Sequence, residues 1–542
     1  MSQPLAYTRK ASGLVRGLSL YDAFGIGFVG MGLTPNFWMV ISLGLGVFLG
    51  ANLIIAAIIS FVVSAIGFPL VWGILGGSMP RSGGEYVYNS RILHPIIGMA
   101  QSFGDALIWL LWIYMLAPLV VDPGLTSTFQ FVGWTAGADW LVSSKWVGFL
   151  MASLVSFVSF LIVVFGMKVF ARIQRVVVTF GIASALVMLL VLTFTSRDAF
   201  IEKWNAMAAE NGSVDYGGFI AAVAAAAGSA VPTTWNWHDT IGVLVAMSFL
   251  TAYAYTISYV GGEIKRPDRT IILANVFSIA VPCLLFLWLA IVLYRNVGFQ
   301  FLSASAWADW NGTDLLVNAQ GEPVYTMPFS SHIMGLSVVV NQNKLIDAVI
   351  GLSYVAFALW WVVISYLAFP RALFAWGMDR MGPKWFTDIN PRFASPMKNS
   401  VLCFVLGEIL LFIYFVWAPL SMQNLVVAGL QITSVFAVTA VAALLFPYMR
   451  RSNTIWQASP YRRWTFLGLP VVVWGAAVNL CYLGVLMYGF IVMKASATLT
   501  TFGLVLMVGA WVAGMLWYFG WRQHNQAQGI DVTMTYGELP PE

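Results

Sequence analysis

Tyr21-Asp22-Ala23-Phe24-Gly25-Ile26-Gly27-Phe28-Val29-Gly30-Met31-Gly32-Leu33-Thr34-Pro35 is apolar enough to enter a bilayer but badly composed for an uninterrupted helix. Four glycines fall within eight residues, and a proline follows them. Glycine and proline are the weakest residues in a helix interior. Two readings fit. Small residues let one membrane helix lie close against another. Alternatively, the helix is broken at mid-membrane, which lipid tolerates only where the backbone lines a cavity or is buried in protein. A break leaves N–H groups at the start of one half-helix and carbonyls at the end of the other. Such a pair can hold a carboxylate and an ammonium without any charged side chain.

The rest of the chain demands a membrane. Of 542 residues, 60% are hydrophobic and 9% charged, against about 25% charged in a soluble domain. Mean hydropathy is +0.82. These values exclude a soluble enzyme, a disordered chain and a fibrous protein. The net charge of +5 is not a nucleic-acid signature; its distribution carries the information. Cys283, Cys403 and Cys481 lie in apolar runs, which argues against a disulfide framework or a cysteine-rich metal site.

Stretches of about 20 apolar residues span a bilayer. Twelve are found, at roughly 19–43, 49–75, 96–121, 146–167, 173–195, 241–262, 271–294, 345–370, 399–419, 425–448, 466–493 and 498–520. The first follows a polar, basic segment and lacks a small-residue cleavage site, so it reads as a retained span and not as a signal peptide. With the N-terminus inside, 21 of the 27 Lys and Arg fall in inner loops. Only 6 fall outside: Lys145, Arg197, Lys203, Arg295, Lys344 and Lys494. This is the positive-inside bias, and one missed span would invert every later loop. Both termini are therefore expected in the cytoplasm and the protein in the plasma membrane.

Two outer segments are long, about 197–240 and 295–344. They contain Asn211-Gly212-Ser213 and Asn311-Gly312-Thr313, which are turn signals first. The Ala-rich piece 219–230 is too short to span and is expected as a surface or re-entrant helix over the outer mouth. The polar tail 522–542 is expected to be disordered.

A membrane enzyme needs acids, bases or metal ligands gathered at one depth. His94 lies in the first inner loop, His238 and His332 in outer loops and His524 in the tail, and there is no His-x-x-x-His or Cys-x-x-Cys pair. No catalytic or metal site is expected. No charged ring or repeated pore loop points to a channel. The chain reads as an all-α polytopic membrane protein that is not an enzyme.

Three further stretches carry a family resemblance. Met79-Pro80-Arg81-Ser82-Gly83-Gly84-Glu85-Tyr86-Val87-Tyr88-Asn89-Ser90-Arg91-Ile92-Leu93-His94-Pro95, after span 2, closely resembles the signature of the amino acid–polyamine–organocation transporter superfamily. Gly262-Glu263-Ile264-Lys265-Arg266-Pro267-Asp268-Arg269, at the end of span 6, resembles that family's Glu-x-Lys-Asn-Pro-x-Arg element. Arg371 to Phe386, after span 8, is similar to its Arg-hydrophobic-aromatic-Ala-Met-x-Asp-Gly loop. The resemblance implies a five-plus-five inverted repeat (a LeuT-like fold): spans 1–5 within 19–195, outer loop 196–240, spans 6–10 within 241–448. Spans 11 and 12 are appended within 449–521, between a cytoplasmic N-terminal segment 1–18 and a cytoplasmic tail 522–542. It also implies that spans 1 and 6 unwind at mid-membrane and bind substrate.

Two departures matter. The family's Gly-Ser/Thr-Gly triplet is matched loosely by Gly30-Met31-Gly32, with Gly27 to Gly30 as another register. In span 6 the family commonly has Phe-Ala-Phe-x-Gly-Phe, whereas this chain has Phe249-Leu250-Thr251-Ala252-Tyr253-Ala254-Tyr255. Tyr253 stands where the glycine would be, and Tyr253 and Tyr255 are candidate walls or gates of the pocket.

The substrate-binding candidates are thus Gly27, Val29, Gly30, Met31, Gly32, Thr251, Tyr253, Ala254 and Tyr255. Tyr114 in span 3 either faces the pocket or is packed against a neighbour. Arg81, Glu85 and Glu263 are candidates for an inner-gate or loop-stabilising network. Asp105 and Glu408 are the most buried carboxyls by position, and intramembrane acids are functional suspects. Both are candidates for ion coupling; Asp105 is otherwise close enough to the inner surface to stay hydrated, and Glu408 is either a proton-linked group or a neutral hydrogen-bonded acid. Ser353 and Ser365 are possible sodium oxygens. Some proton-coupled relatives carry a lysine where this chain has Gly181. One charge crossing ~100 mV is worth ~2.3 kcal/mol, enough for roughly a 50-fold substrate gradient, so one H+ or Na+ suffices.

The expected function is secondary active transport of amino acids or related amines by alternating access. A ligand-binding transceptor, or a nucleobase or polyamine transporter, is the alternative. The expected partners are a small-molecule substrate and the lipid bilayer, without nucleic acid; oligomeric state, symport and exchange stay open.

Overall fold

A computed structural model of the chain describes residue 14 and residues 16–341, 343–417, 424–493 and 501–540. Most of the N-terminal segment, Lys494 and the last two tail positions lie outside these residues. Among the described residues, 12 helices are long and apolar enough to cross a membrane. In chain order, spans 1–6 are Leu20–Val47, Leu53–Ser78, Pro95–Phe131, Lys145–Val164, Met167–Thr193 and Trp237–Tyr259. Spans 7–12 are Pro267–Asn296, Lys344–Met378, Met397–Val416, Ala428–Leu445, Val471–Ile491 and Gly503–Ala527.

Side-chain caps start several spans where the sequence offers short polar residues. Ser19 and Asp22 form a capping box at span 1. Asn52 Oδ1 accepts from the N–H groups of Ile54 and Ile55, and Asn343 Oδ1 does the same for Leu345 and Ile346. Each cap satisfies donors that the first helical turn leaves without partners.

Burial sorts the spans into a centre and a periphery. The most apolar window of span 1 is wholly buried, that of span 6 is 94% buried and that of span 3 is 89% buried, whereas span 12 reaches only 22%. The broken-looking span is therefore the innermost one. Leu150, Val176, Ile409 and Leu516 lie exposed on spans 4, 5, 9 and 12, as expected where lipid and not water is the neighbour.

Spans 3 and 8 run beyond the limits read from hydropathy. Span 8 continues through Arg371 to Met378 because the guanidinium of Arg371 is buried in an ion pair with Glu263. A residue counted as part of a loop thus belongs to a helix. The Ala-rich piece forms a surface helix, Tyr216–Ala227. It lies on helix Phe299–Asn311 through the stacked rings of Tyr216 and Phe301, 4.4 Å apart.

The expectation of a disordered tail is corrected. Span 12 stays helical to Ala527, and a 3₁₀ turn at Val532–Gly537 docks on the protein. Tyr536 is buried there, its hydroxyl 3.1 Å from that of Tyr86 and its ring 5.1 Å from the Arg91 guanidinium carbon. Arg81 Nε donates to the Pro540 carbonyl. Polar composition hid one buried aromatic and two arginine contacts.

Candidate functional site

Span 1 consists of two helices, Leu20–Met31 and Leu33–Val47, joined at Gly32 with φ 46° and ψ 81°. That left-handed conformation is open to glycine and strained for other residues. A Cβ on Gly32 would also lie 2.0 Å from Trp361 Nε1. The second half-helix begins without a side-chain cap, so its first N–H groups, at Leu33 and Thr34, have no acceptor within the helix. Pro35 contributes none.

The glycines divide between the two readings of the sequence. A Cβ on Gly25 would meet Gln174 of span 5 at 2.3 Å, and one on Gly27 would meet Ser278 of span 7 at 2.5 Å. Those two serve close packing. Gly30 faces span 6, where a Cβ would lie 3.1 Å from the Tyr253 carbonyl.

Span 6 changes character at the same depth. Its α-helix, Leu244–Thr251, passes through Ala252 into a 3₁₀ helix, Tyr253–Tyr259. The change needs no glycine at position 253. Thr256 Oγ1 donates to Tyr253 O at 2.9 Å and to Ile26 O of span 1 at 3.2 Å, so a hydroxyl replaces backbone donors. The Asn36 amide ties the two interruptions together: Nδ2 donates to Met31 O and, at 2.8 Å, to Phe249 O.

Between these breaks lies a small cavity of about 30 Å³. Gly30 and Asn36 line it from span 1, Trp109 and Trp112 from span 3, Phe249 and Tyr253 from span 6, and Trp361 from span 8. Among the described residues, no charged side chain lines it. Two of its buried polar atoms, Trp112 Nε1 and Tyr253 Oη, have no hydrogen-bond partner among the described residues. A buried orphan of this kind costs about 1–3 kcal/mol, which a ligand with the complementary group would offset. The lining can therefore offer a small, partly apolar molecule hydrogen bonds but no formal charge.

Of the sequence candidates, Gly30 and Tyr253 line this cavity. Val29 and Met31 supply carbonyls at the break. Thr251 donates back to Met247 O at 3.4 Å, and Ala254 is fully buried. Tyr255 turns away from the cavity and donates to Asp105 at 3.1 Å. Tyr114 is buried with its ring 5.7 Å from Tyr414 of span 9. Asn36, Trp109, Trp112 and Trp361 are absent from the sequence candidates. Asn36 had a signal, a lone amide in an apolar run four residues after Gly32; the tryptophans read as packing material.

Arg81, Glu85 and Glu263 occupy three separate arrangements. Glu263 receives Arg371 Nε and Nη2 at 2.9 and 2.8 Å. Arg81 bonds the carbonyls of Pro80 and Pro540. Glu85 Oε1 accepts from Trp72 Nε1 at 2.9 Å. A second buried ion pair joins Arg91 and Asp379 at 2.6 Å, and Asp22 pairs with Arg175 at 2.7 Å.

Asp105 is buried, with Oδ2 accepting from Tyr259. Glu408 is only half-buried in span 9, so its ranking among the most buried carboxyls is corrected: Asp22, Glu85, Glu263, Asp347 and Asp379 all lie deeper. Depth along a helix does not say which face points inward. Ser365 donates to Trp361 O at 3.2 Å, and Ser353 pairs with Thr34 at 2.7 Å. A Cβ at Gly181 would lie 2.0 Å from the Phe357 ring, so a longer side chain has no room there.

Compared with known proteins, the chain matches the family model described as amino acid permease over residues 18–513. No curated protein sequence matches it. A match of that extent, over a bundle of 12 apolar spans with a central cavity, means that this membrane protein belongs to the amino acid permease family of the amino acid–polyamine–organocation superfamily.

Proposed function

We propose that this permease is a secondary active transporter for zwitterionic amino acids or closely related amines, working by alternating access in the plasma membrane with both termini cytoplasmic. The observation that carries the reading is the charge-free cavity at the paired breaks of spans 1 and 6. A substrate that brings its own carboxylate and ammonium needs half-helix ends, not side-chain ions. The uncapped start at Leu33 suits the carboxylate, and the carbonyl end at Gly30 suits the ammonium. The aromatic walls suit an apolar or aromatic side chain. The excess of Lys and Arg in one set of loops supports the orientation.

Counterflow tests this directly. Proteoliposomes preloaded with a mixture of unlabelled amino acids should transiently accumulate labelled ones from outside. A ligand-binding sensor without flux gives no counterflow. Transport confined to uncharged nucleobases or to a dication overturns the zwitterion reading.

A further inference from the structure

Two carboxyl groups lie together in the core, and among the described residues no cation pairs with either. Glu85 opens helix Glu85–Ile92, between spans 2 and 3, and Asp105 lies in span 3; both are almost fully buried. Asp105 Oδ1 and Oδ2 accept from the hydroxyls of Tyr255 and Tyr259. Glu85 Oε1 accepts from Trp72, while its Oε2 is buried and receives no donor among the described residues. The two are neighbours through their donors: Trp72, which bonds Glu85, packs edge-on against Tyr255, which bonds Asp105. Like charges in a desolvated site do not both ionise. A proton on Glu85 Oε2 turns that orphan oxygen into a donor and removes the like charge.

The surroundings agree. Span 2 presents Trp72; span 3 presents Trp109; span 6 presents Tyr253, Tyr255 and Tyr259. Among the described residues, no Arg, Lys or His forms an ion pair with either carboxyl, and the buried guanidinium groups of Arg371 and Arg91 are committed to Glu263 and Asp379. Burial, with the Asp105 charge adding to it, holds the Glu85 carboxyl well above the ordinary range. The pair also communicates with the cavity. Trp109 lines the cavity and donates to Tyr259 Oη at 3.2 Å, and Tyr259 donates in turn to Asp105.

We propose that Glu85 carries the proton coupled to transport, held against the Asp105 carboxylate one Trp109–Tyr259 relay away from the substrate cavity. The inference rests on the transport reading above and names its coupling ion. Release follows from the fold. Gly83 and Gly84, with φ 109° and 59°, precede Glu85, and a Cβ on Gly84 would lie 3.3 Å from the Tyr259 ring. When this segment parts from span 6, water reaches Oε2. The O–H bond breaks, its electron pair stays on the Glu85 carboxylate and the proton passes to water. The region near Gly181, filled by Phe357, leaves no comparable place for a proton-carrying side chain.

Two measurements on the full-length protein test this. In detergent, an infrared pH titration should show a protonated-carboxyl C=O band that persists above the ordinary carboxylate range. Glu85→Gln should abolish it, and Asp105→Asn should move its titration to lower pH by removing the neighbouring charge. In proteoliposomes given a labelled mixture of the protein amino acids, an imposed gradient of one pH unit should drive about tenfold accumulation at one proton per substrate. Glu85→Gln should bring that ratio to about one, and Glu85→Asp should restore part of it. A titrating band unchanged in Glu85→Gln, or pH-driven accumulation unchanged in that variant, overturns the proposal. Wild-type vesicles that take up no amino acid overturn the transport reading instead, and the infrared titration then decides the proton site alone.

Discussion

Replacing Gly32 by alanine is the sharpest perturbation the structure offers. At φ 46° an L-residue is disfavoured by roughly 1–2 kcal/mol. The added methyl would also sit 2.0, 2.3 and 2.7 Å from Nε1, Cε2 and Cζ2 of Trp361. The indole must swing off its rotamer, at about 0.5–1.5 kcal/mol, and it lines the cavity. The total is roughly 1.5–3.5 kcal/mol, a shift of about 10- to 300-fold in the equilibrium between this conformation and its competitors. Uptake into proteoliposomes should fall by that order, with a lower detergent melting temperature. Trp361→Phe removes the part of the ring that clashes, so the Gly32→Ala penalty in that background should shrink to the backbone share alone. Gly484→Ala is the control: nothing lies within 4 Å of that position on span 11, and stability should hold or rise. Wild-type uptake and melting by Gly32→Ala would refute the broken-helix reasoning.

The remaining predictions concern the supports of the site. Asn36→Leu leaves Met31 O and Phe249 O without their shared donor; at about 1–3 kcal/mol per buried group, melting temperature and uptake should both fall, and unchanged values would mean that water or backbone replaces the amide. Arg371→Leu and Glu263→Gln each strand a buried partner and should destabilise by about 3–5 kcal/mol, with the double variant recovering part of the loss; strict additivity in thermal melts would deny the coupling. Tyr536→Ala should free the tail from Tyr86 and Arg91, exposing a proteolytic site near its 3₁₀ turn that the wild type protects. Glu85 titrates higher in the fold than the ordinary ~4.3. Over the window above that value the folded state therefore binds more protons than the unfolded one, and stability falls as pH rises. Thermal melts of Glu85→Gln should show a flatter pH dependence than the wild type.

Hydropathy and charge placement determined much by themselves. Crossing a bilayer requires about 20 apolar residues whatever the neighbours, so the spans could be counted along the chain. The strain in span 1 was legible too, because glycine and proline act on their own backbone. Tertiary structure alone decided which glycine breaks the helix: Gly25 and Gly27 are packed by Gln174 and Ser278, while Gly32 is turned by its φ and the Trp361 indole. It decided that span 6 yields at a tyrosine, since the donors that permit this, Asn36 and Thr256, include one from a helix more than two hundred residues away. It paired Glu263 with Arg371 and set Glu85 against Asp105. Local composition fixes where a chain can bend and how far it can reach, whereas charge partnership depends on which faces meet, a property of the packed bundle that no stretch of sequence contains.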